Sequence, residues 1–220
     1  MLDSTAAGLV PRAPLPAMVL QLIRKPRTRL HIGSGRERLE GWVNIDNQAL
    51  PGVDVVADVT LGLRFSNVEA IFAEHFIEHL PFWECERFLR DCRNALAADG
   101  VLRLSTPNLD WVVATQYSGR DHVRDCFALN TSFRGWGHQF LFNAATLGAV
   151  LKRAGFAKVE FLTYGGSPHA ELQGLERHEK SPDTPALPHV LVVEASGIGT
   201  TSNPALETSS AEFLQTLGAS

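Results

Sequence analysis

The feature that most constrains this chain is a run of short apolar segments, each ending on a glycine or an acid and separated by helical patterns. Arg29–Gly33 reads as a buried strand running into Gly33-Ser34-Gly35. Trp42–Asp46 and Val53–Val59 read as second and third strands, Ala70–Ala73 as a fourth and Val101–Ser105 as a fifth. Between the last two, Phe88, Leu89, Cys92 and Leu96 recur at helical spacing over Phe82–Ala98, and Asp99-Gly100 is expected to stop that helix. Ala144–Ala154 reads as a helix closed by Gly155, Ala157–Tyr164 as a sixth strand and Val190–Ala195 as a seventh. Strands alternating with helices predict an α/β fold, a mainly parallel sheet with helices on both faces.

Residues 108–140 break the pattern. They are rich in aromatics, Arg, His and Asn with no clean period, and are expected to form a loop-like, substrate-side insertion. The domain is placed at 27–195, after an N-terminal extension (1–26) in which Gly8-Leu-Val-Pro-Arg12 looks like a vector-derived protease site. A small, Thr/Ser-rich tail (196–220) is expected to be disordered, with at most one short helix near Phe213.

Composition sets outer limits. A hydrophobic fraction of 45% with 20% charged residues is that of a soluble globular chain. A net charge of −4 argues against nucleic acid held mainly by phosphate contacts. Cys85, Cys92 and Cys126 have neither disulfide nor CxxC spacing, and Cys85 and Cys92 read as apolar fillers. No segment reaches the length of a membrane span and no secretory signal is visible, so a cytoplasmic location is expected. Frequent arginine with sparse lysine suggests a GC-rich bacterial genome. A homodimer is the default oligomer.

Strand, Gly-x-Gly, then an acid at the next strand's tip is a nucleoside-binding arrangement. Gly33, Ser34 and Gly35 let backbone approach a ligand, Asp46 can accept ribose hydroxyls, and Asp58 ends the third strand where an adenine would lie. The bland alternative is a tight turn with two solvated acids. A dinucleotide site is disfavoured: the third glycine is missing, and Asp46 follows Gly35 by eleven residues, where that fingerprint has about 20.

His31-Ile-Gly-Ser-Gly35, Gly41-Trp-Val-Asn-Ile-Asp46, Asp54-Val-Val-Ala-Asp58 and Ile77-Glu-His-Leu80 resemble the class I, type-11-like S-adenosylmethionine (SAM) methyltransferases. The resemblance continues through Gly135-Trp-Gly-His-Gln-Phe140 and Gly174-Leu-Glu-Arg-His178 to Val193-Glu-Ala195. It implies a Rossmann-like, seven-stranded sheet with an antiparallel last strand. It also implies SAM over the strand ends, held by Gly33, Ser34, Gly35, Asp46, Asp58 and Glu74. The stretch between Gly35 and Trp42 is too short for the family's first helix, so that crossover must be abbreviated.

His75-Phe-Ile-Glu78-His79 follows the fourth strand directly. If a helix begins there, His75, Glu78 and His79 share one face and make a divalent-metal cluster, with His138 as fourth ligand. This is similar to metal-dependent O-methyltransferases of small RNA and ubiquinone pathways, which carry Glu-x-x-Glu-His at this place. With His75 replacing the first Glu, the ion (Mg, Mn or Zn) stays open. His138 or His75 could serve instead as general base, and a helix-start cluster without metal is the bland reading.

The implied function is methyl transfer to a hydroxyl of a sugar, oligosaccharide or similar polar metabolite, as in polysaccharide biosynthesis. Arg134, Trp136 and Tyr117 would contact the acceptor, and Arg120, Arg124 and Arg177 would suit an anionic one. Alternatives are a metal-independent N- or O-methyltransferase of secondary metabolism, a zinc metallopeptidase (the same five residues match His-x-x-Glu-His), and a non-catalytic SAM-binding protein.

Overall fold

The computed structural model describes residues 28–178 and 186–218; the N-terminal extension lies outside them. Seven strands form one sheet in the order β3-β2-β1-β4-β5-β7-β6. They are β1 (Thr28–Ile32), β2 (Val43–Asp46), β3 (Val55–Val56), β4 (Val68–Glu74), β5 (Leu96–Pro107), β6 (Lys158–Leu162) and β7 (Val190–Ser196). β1 to β5 are mutually parallel. β7 runs antiparallel to both β5 and β6.

Among the described residues five α-helices accompany the sheet: α1 (Phe82–Ala95), α2 (Leu109–Gln116), α3 (His122–Asn130), α4 (Ala144–Arg153) and α5 (Pro204–Thr216). α1 buries Phe82, Cys85, Phe88, Leu89, Cys92 and Ala95, the stripe expected of a core-facing helix. These side chains, with Leu147, Val150 and Leu151 of α4 and Leu206 of α5, pack on Leu30, Ile32, Ile71, Ala73, Leu102 and Leu104. The alternate strand residues Ala70, Phe72 and Val101 point to the other face. There they meet Leu39, Trp42 and Leu172, from turns and a single 3-10 turn, Ala170–Leu172. The abbreviated first crossover expected between Gly35 and Trp42 is therefore present: no helix lies between β1 and β2.

Four sequence expectations need correction. The third strand is two residues long, not seven, because Asp58 caps a 3-10 turn, Val59–Leu61, through the Thr60 N–H. The helix before β5 ends at Ala95 rather than at Asp99-Gly100, which lie instead in an irregular stretch of β5 opposite Val68–Ala70. Residues 108–140 are no simple loop but a helical hairpin, α2 and α3, followed by a π turn at Thr131–Gly135. The tail is ordered as α5, with Asn203 capping it, Pro204 in its first turn and Phe213 against the Phe82 and Phe140 rings.

The face without long helices carries a buried charged trio. Arg103 of β5 is fully buried and donates twice to Glu176, at 2.6 and 2.9 Å, and once to Glu194 of β7 at 2.7 Å. It also donates to the Gly166 carbonyl at 2.9 Å. Ser167 Oγ donates to Glu194 as well. The trio pins the 163–178 segment across the sheet.

Candidate active site

A cavity of about 630 Å³ opens at the carboxyl ends of β1, β2 and β4. That volume is in the range of small-molecule and cofactor sites. Gly33, Asp46 and Asp58 line it, with Asn47, Gln48 and Thr60 from the loops after β2 and β3 and Phe76, His79, Glu84 and Gln139 from the chain after β4 and from the 135–140 stretch. Gly33 has φ +64°, and a Cβ there would stand 2.8 Å from Phe76 Cδ2, so glycine is required both for conformation and for space.

Asp46 sits at the tip of β2 with both oxygens aligned by backbone. The Gly35 N–H donates to Oδ2 and the Gln48 N–H to Oδ1, each at 2.9 Å. A carboxylate retains acceptor capacity beyond these two bonds. Asp58 Oδ1 accepts from the Thr60 N–H and hydroxyl at 3.0 and 2.6 Å.

Ser34, Gly35 and Glu74 do not line the cavity. Ser34 is buried, with its N–H on the Ile45 carbonyl. Glu74 is taken up by the returning chain: Arg177 N–H and His178 N–H donate to Oε1 at 2.8 and 3.2 Å, and His178 Nδ1 lies 2.9 Å from Oε2. Arg177 also pairs with Glu37 at 2.6 Å, so it straps the 174–178 segment to the loop after β1.

The His75–His79 segment differs from expectation in its backbone. His75 has φ +47°, in the left-handed region, and only Ile77–His79 form a 3-10 turn. His75, Glu78 and His79 therefore do not lie on one helical face. The ligand atoms that converge are those of Glu78, His79 and His138, all within 4.8 Å of one another. His75 stands behind them, its Nδ1 3.0 Å from Glu78 Oε1.

Glu78 is fully buried. Thr106 Oγ1 donates to its Oε2 at 2.9 Å, while Oε1 faces His75 Nδ1 at 3.0 Å. The Gln139 N–H donates to the Glu78 carbonyl, which brings the Gly135–Phe140 stretch onto the 3-10 turn. His138 Nδ1 lies 2.7 Å from the Ser132 carbonyl. A carbonyl only accepts, so Nδ1 carries the proton and Nε2 offers the lone pair. Burial is the main influence on His138 and holds its imidazole below the ordinary histidine range, outweighing the Ser132 carbonyl and Glu78, which act in the other direction.

Of the expected acceptor contacts, Trp136 is nearest the centre: its ring centroid is 6.1 Å from that of His138, and its surface is open. Arg134 lies over the Phe133 ring, and Tyr117 caps the exposed end of α2. Thr106, Phe76 and Gln139 were not singled out by sequence reasoning. Thr106 and Phe76 carry no spacing signal, whereas Gln139 follows His138 in a quoted motif and was within reach.

No family model matches the chain, and no curated protein matches it. Solved structures do. A SAM-dependent methyltransferase from Thermotoga maritima aligns with a TM-score of 0.50 at 14% identity, over 81% of this chain and 86% of that one. One from Archaeoglobus fulgidus aligns at 0.49 and 16%, over 81% and 89%. The CMeT domain of the citrinin polyketide synthase aligns at 0.48 and 16%, over 80% of this chain and 47% of that one, so this chain spans about half of it. The strand order, the antiparallel β7 and the Thermotoga alignment agree that the chain has the Rossmann-like fold of class I SAM-dependent methyltransferases.

Proposed function

We propose that the protein is a SAM-dependent O-methyltransferase acting on a hydroxyl of a polar, polyhydroxylated acceptor of the sugar or oligosaccharide class. The observation that carries the reading is adjacency. One cavity is lined by Asp46 and Asp58 and by His79, and His79 belongs to the Glu78–His79–His138 cluster. A nucleoside-sized pocket thus opens directly onto groups able to activate a nucleophile.

SAM supplies an electrophilic methyl on a sulfonium. Asp46, held by two N–H groups, orients the ribose, and Asp58 with Thr60 sits at the adenine end. Gly33 keeps the wall beneath Phe76 thin. At the other end, a neutral hydroxyl is a poor nucleophile at neutral pH and needs its proton weakened or removed. His138 Nε2, unprotonated because Nδ1 is committed to Ser132, is the base or ligand in position. The cluster fits a divalent ion: one buried carboxylate, Glu78, and two imidazoles, His79 and His138, bring ligand atoms within 4.8 Å of one another. Such an ion supplies Lewis-acid lowering of a hydroxyl's pKa, and two imidazoles with one carboxylate suit Zn or Mn better than Mg.

Titration calorimetry with S-adenosylhomocysteine on chelator-treated protein tests the cofactor half. Micromolar binding is expected, weakened about tenfold or more in Asp46→Ala. Absence of binding by the unmodified protein, with and without Mg, Mn or Zn, would sink the methyltransferase reading. The metal half is read separately, as ion content after dialysis, which Glu78→Gln is expected to abolish.

A further inference from the structure

Large apolar side chains stand open to solvent along one excursion of the chain: Val113 and Tyr117 at α2, Val123 and Phe127 on α3, Phe133 in the π turn and Trp136 beyond it. Val123 and Phe127 are 71% and 72% exposed. The one side chain that α3 buries is an acid, Asp125, whose carboxylate accepts from the Ser118 hydroxyl and the Gly119 N–H. The helix thus sets its polar anchor inward and its two large apolar side chains Val123 and Phe127 outward, the reverse of a helix that packs on a core. Arginines share the outer surface. On α3, Val123, Arg124 and Phe127 fall at i, i+1 and i+4, Arg120 is exposed in the turn before the helix, and Arg134 lies over Phe133 at 5.2 Å.

We propose that this hairpin docks onto an anionic lipid surface, entering it to headgroup depth. Charge selects the occupant. A second copy across a two-fold axis would set these arginines against themselves. Residues 1–27 carry Arg12, Arg24, Lys25 and Arg27 against Asp3, the same sign as the patch, and residues 179–185 hold no large apolar side chain. Anionic headgroups complement the arginines while acyl chains receive Phe127 and Val123, and Trp136 suits the boundary. Of the acids of the hairpin, Asp125 is buried, while Asp121, which caps α3, and Asp110, 3.4 Å from the Asn143 amide, are exposed, against the exposed Arg120, Arg124 and Arg134. With the rest of a chain of net charge −4 repelled by such a surface, the molecule is oriented hairpin-down. Taken with the proposed function, on which this last step rests, that orientation brings His138 to the depth of a hydroxylated lipid headgroup, which is then the acceptor class.

The test is co-sedimentation of the full chain with vesicles of phosphatidylcholine alone and with an equal share of phosphatidylglycerol. Binding to the anionic vesicles, weakened by salt, is expected. Val123→Asp with Phe127→Asp is expected to reduce the partition on the order of tenfold or more, and Arg120→Glu with Arg124→Glu to remove the preference for the anionic lipid. An unchanged thermal midpoint in both double variants shows that the fold is kept. S-adenosylhomocysteine binding, measured separately, keeps failure of this proposal distinct from failure of the cofactor reading. No binding to either vesicle would overturn the proposal. So would equal binding to both, or a concentration-dependent dimer dissolved by the Val123/Phe127 pair.

Discussion

At the residue scale the site depends on side chains whose neighbours leave little choice. Gly33 and Gly35 both have positive φ, +64° and +55°, but only Gly33 has Phe76 in the way of a Cβ. Gly35→Ala is expected to cost about 1–2 kcal/mol, the left-handed backbone term alone. Gly33→Ala should cost more and should also weaken S-adenosylhomocysteine binding, because Phe76 must move into the cavity. Urea denaturation and calorimetry on the two variants measure the difference. His31 gives a second prediction. It is buried on β1, its Nδ1 3.0 Å from Asn44 Oδ1 and its ring stacked on Phe72. Burial dominates and holds its pKa below the ordinary 6.5. The folded state therefore binds fewer protons than the unfolded one, and its stabilisation is complete above about pH 6.5 and lost as pH falls through the folded value. His31→Gln is expected to flatten the fall in urea midpoint between about pH 7 and about pH 5.5; an unchanged slope would assign it to other histidines.

At the scale of elements, legibility tracked how much of each element is buried. β1, β2 and β4 were readable because their apolar residues pack from a continuous sheet, and Asp46 stands at the tip of β2, while Asp58 follows β3 by two residues and caps the 3-10 turn. α3 was not readable because it has no apolar stripe to display: its buried residue is Asp125. α5 was obscured by Thr and Ser, although Asn203-Pro204, a cap followed by a first-turn proline, was a usable signal. The expected helical face of His75, Glu78 and His79 failed for a different reason. Positive φ at a histidine cannot be seen in sequence, and it swings His75 behind Glu78. Two predictions belong here. Leu206→Ala should lower stability by about 2 kcal/mol, since Leu206 is the buried member of the set, with Phe213 and Leu214, that seats α5 on the core. Glu176→Gln should cost about 3 kcal/mol or more by leaving Arg103 buried against a neutral partner. Equilibrium denaturation reads both, and a neutral outcome for Glu176→Gln would mean that water or Glu194 compensates.

At the scale of the whole molecule, the two faces of the sheet are built differently. One carries α1, α4 and α5 over a continuous apolar core. The other is closed by turns and by one buried cation with two buried anions. The sequence pattern conveyed the first face well, because helical periodicity records helix burial. It conveyed the second poorly, since a single arginine at a strand position looks the same whether it faces solvent or Glu176.

β7 lies between β5 and β6, and among the described residues β6 has no other neighbour in the sheet. During synthesis, every residue of β6 emerges before the strand that will hold it. Glu194, one of the two carboxylates on Arg103, emerges later still, 91 positions after its partner. A nascent chain can assemble β1 to β5 as a parallel half-sheet, with Arg103 on its edge strand met first by Glu176 and only then by Glu194. Completion of the sheet and full neutralisation of its interior are then one event, timed by the emergence of β7 rather than of β5.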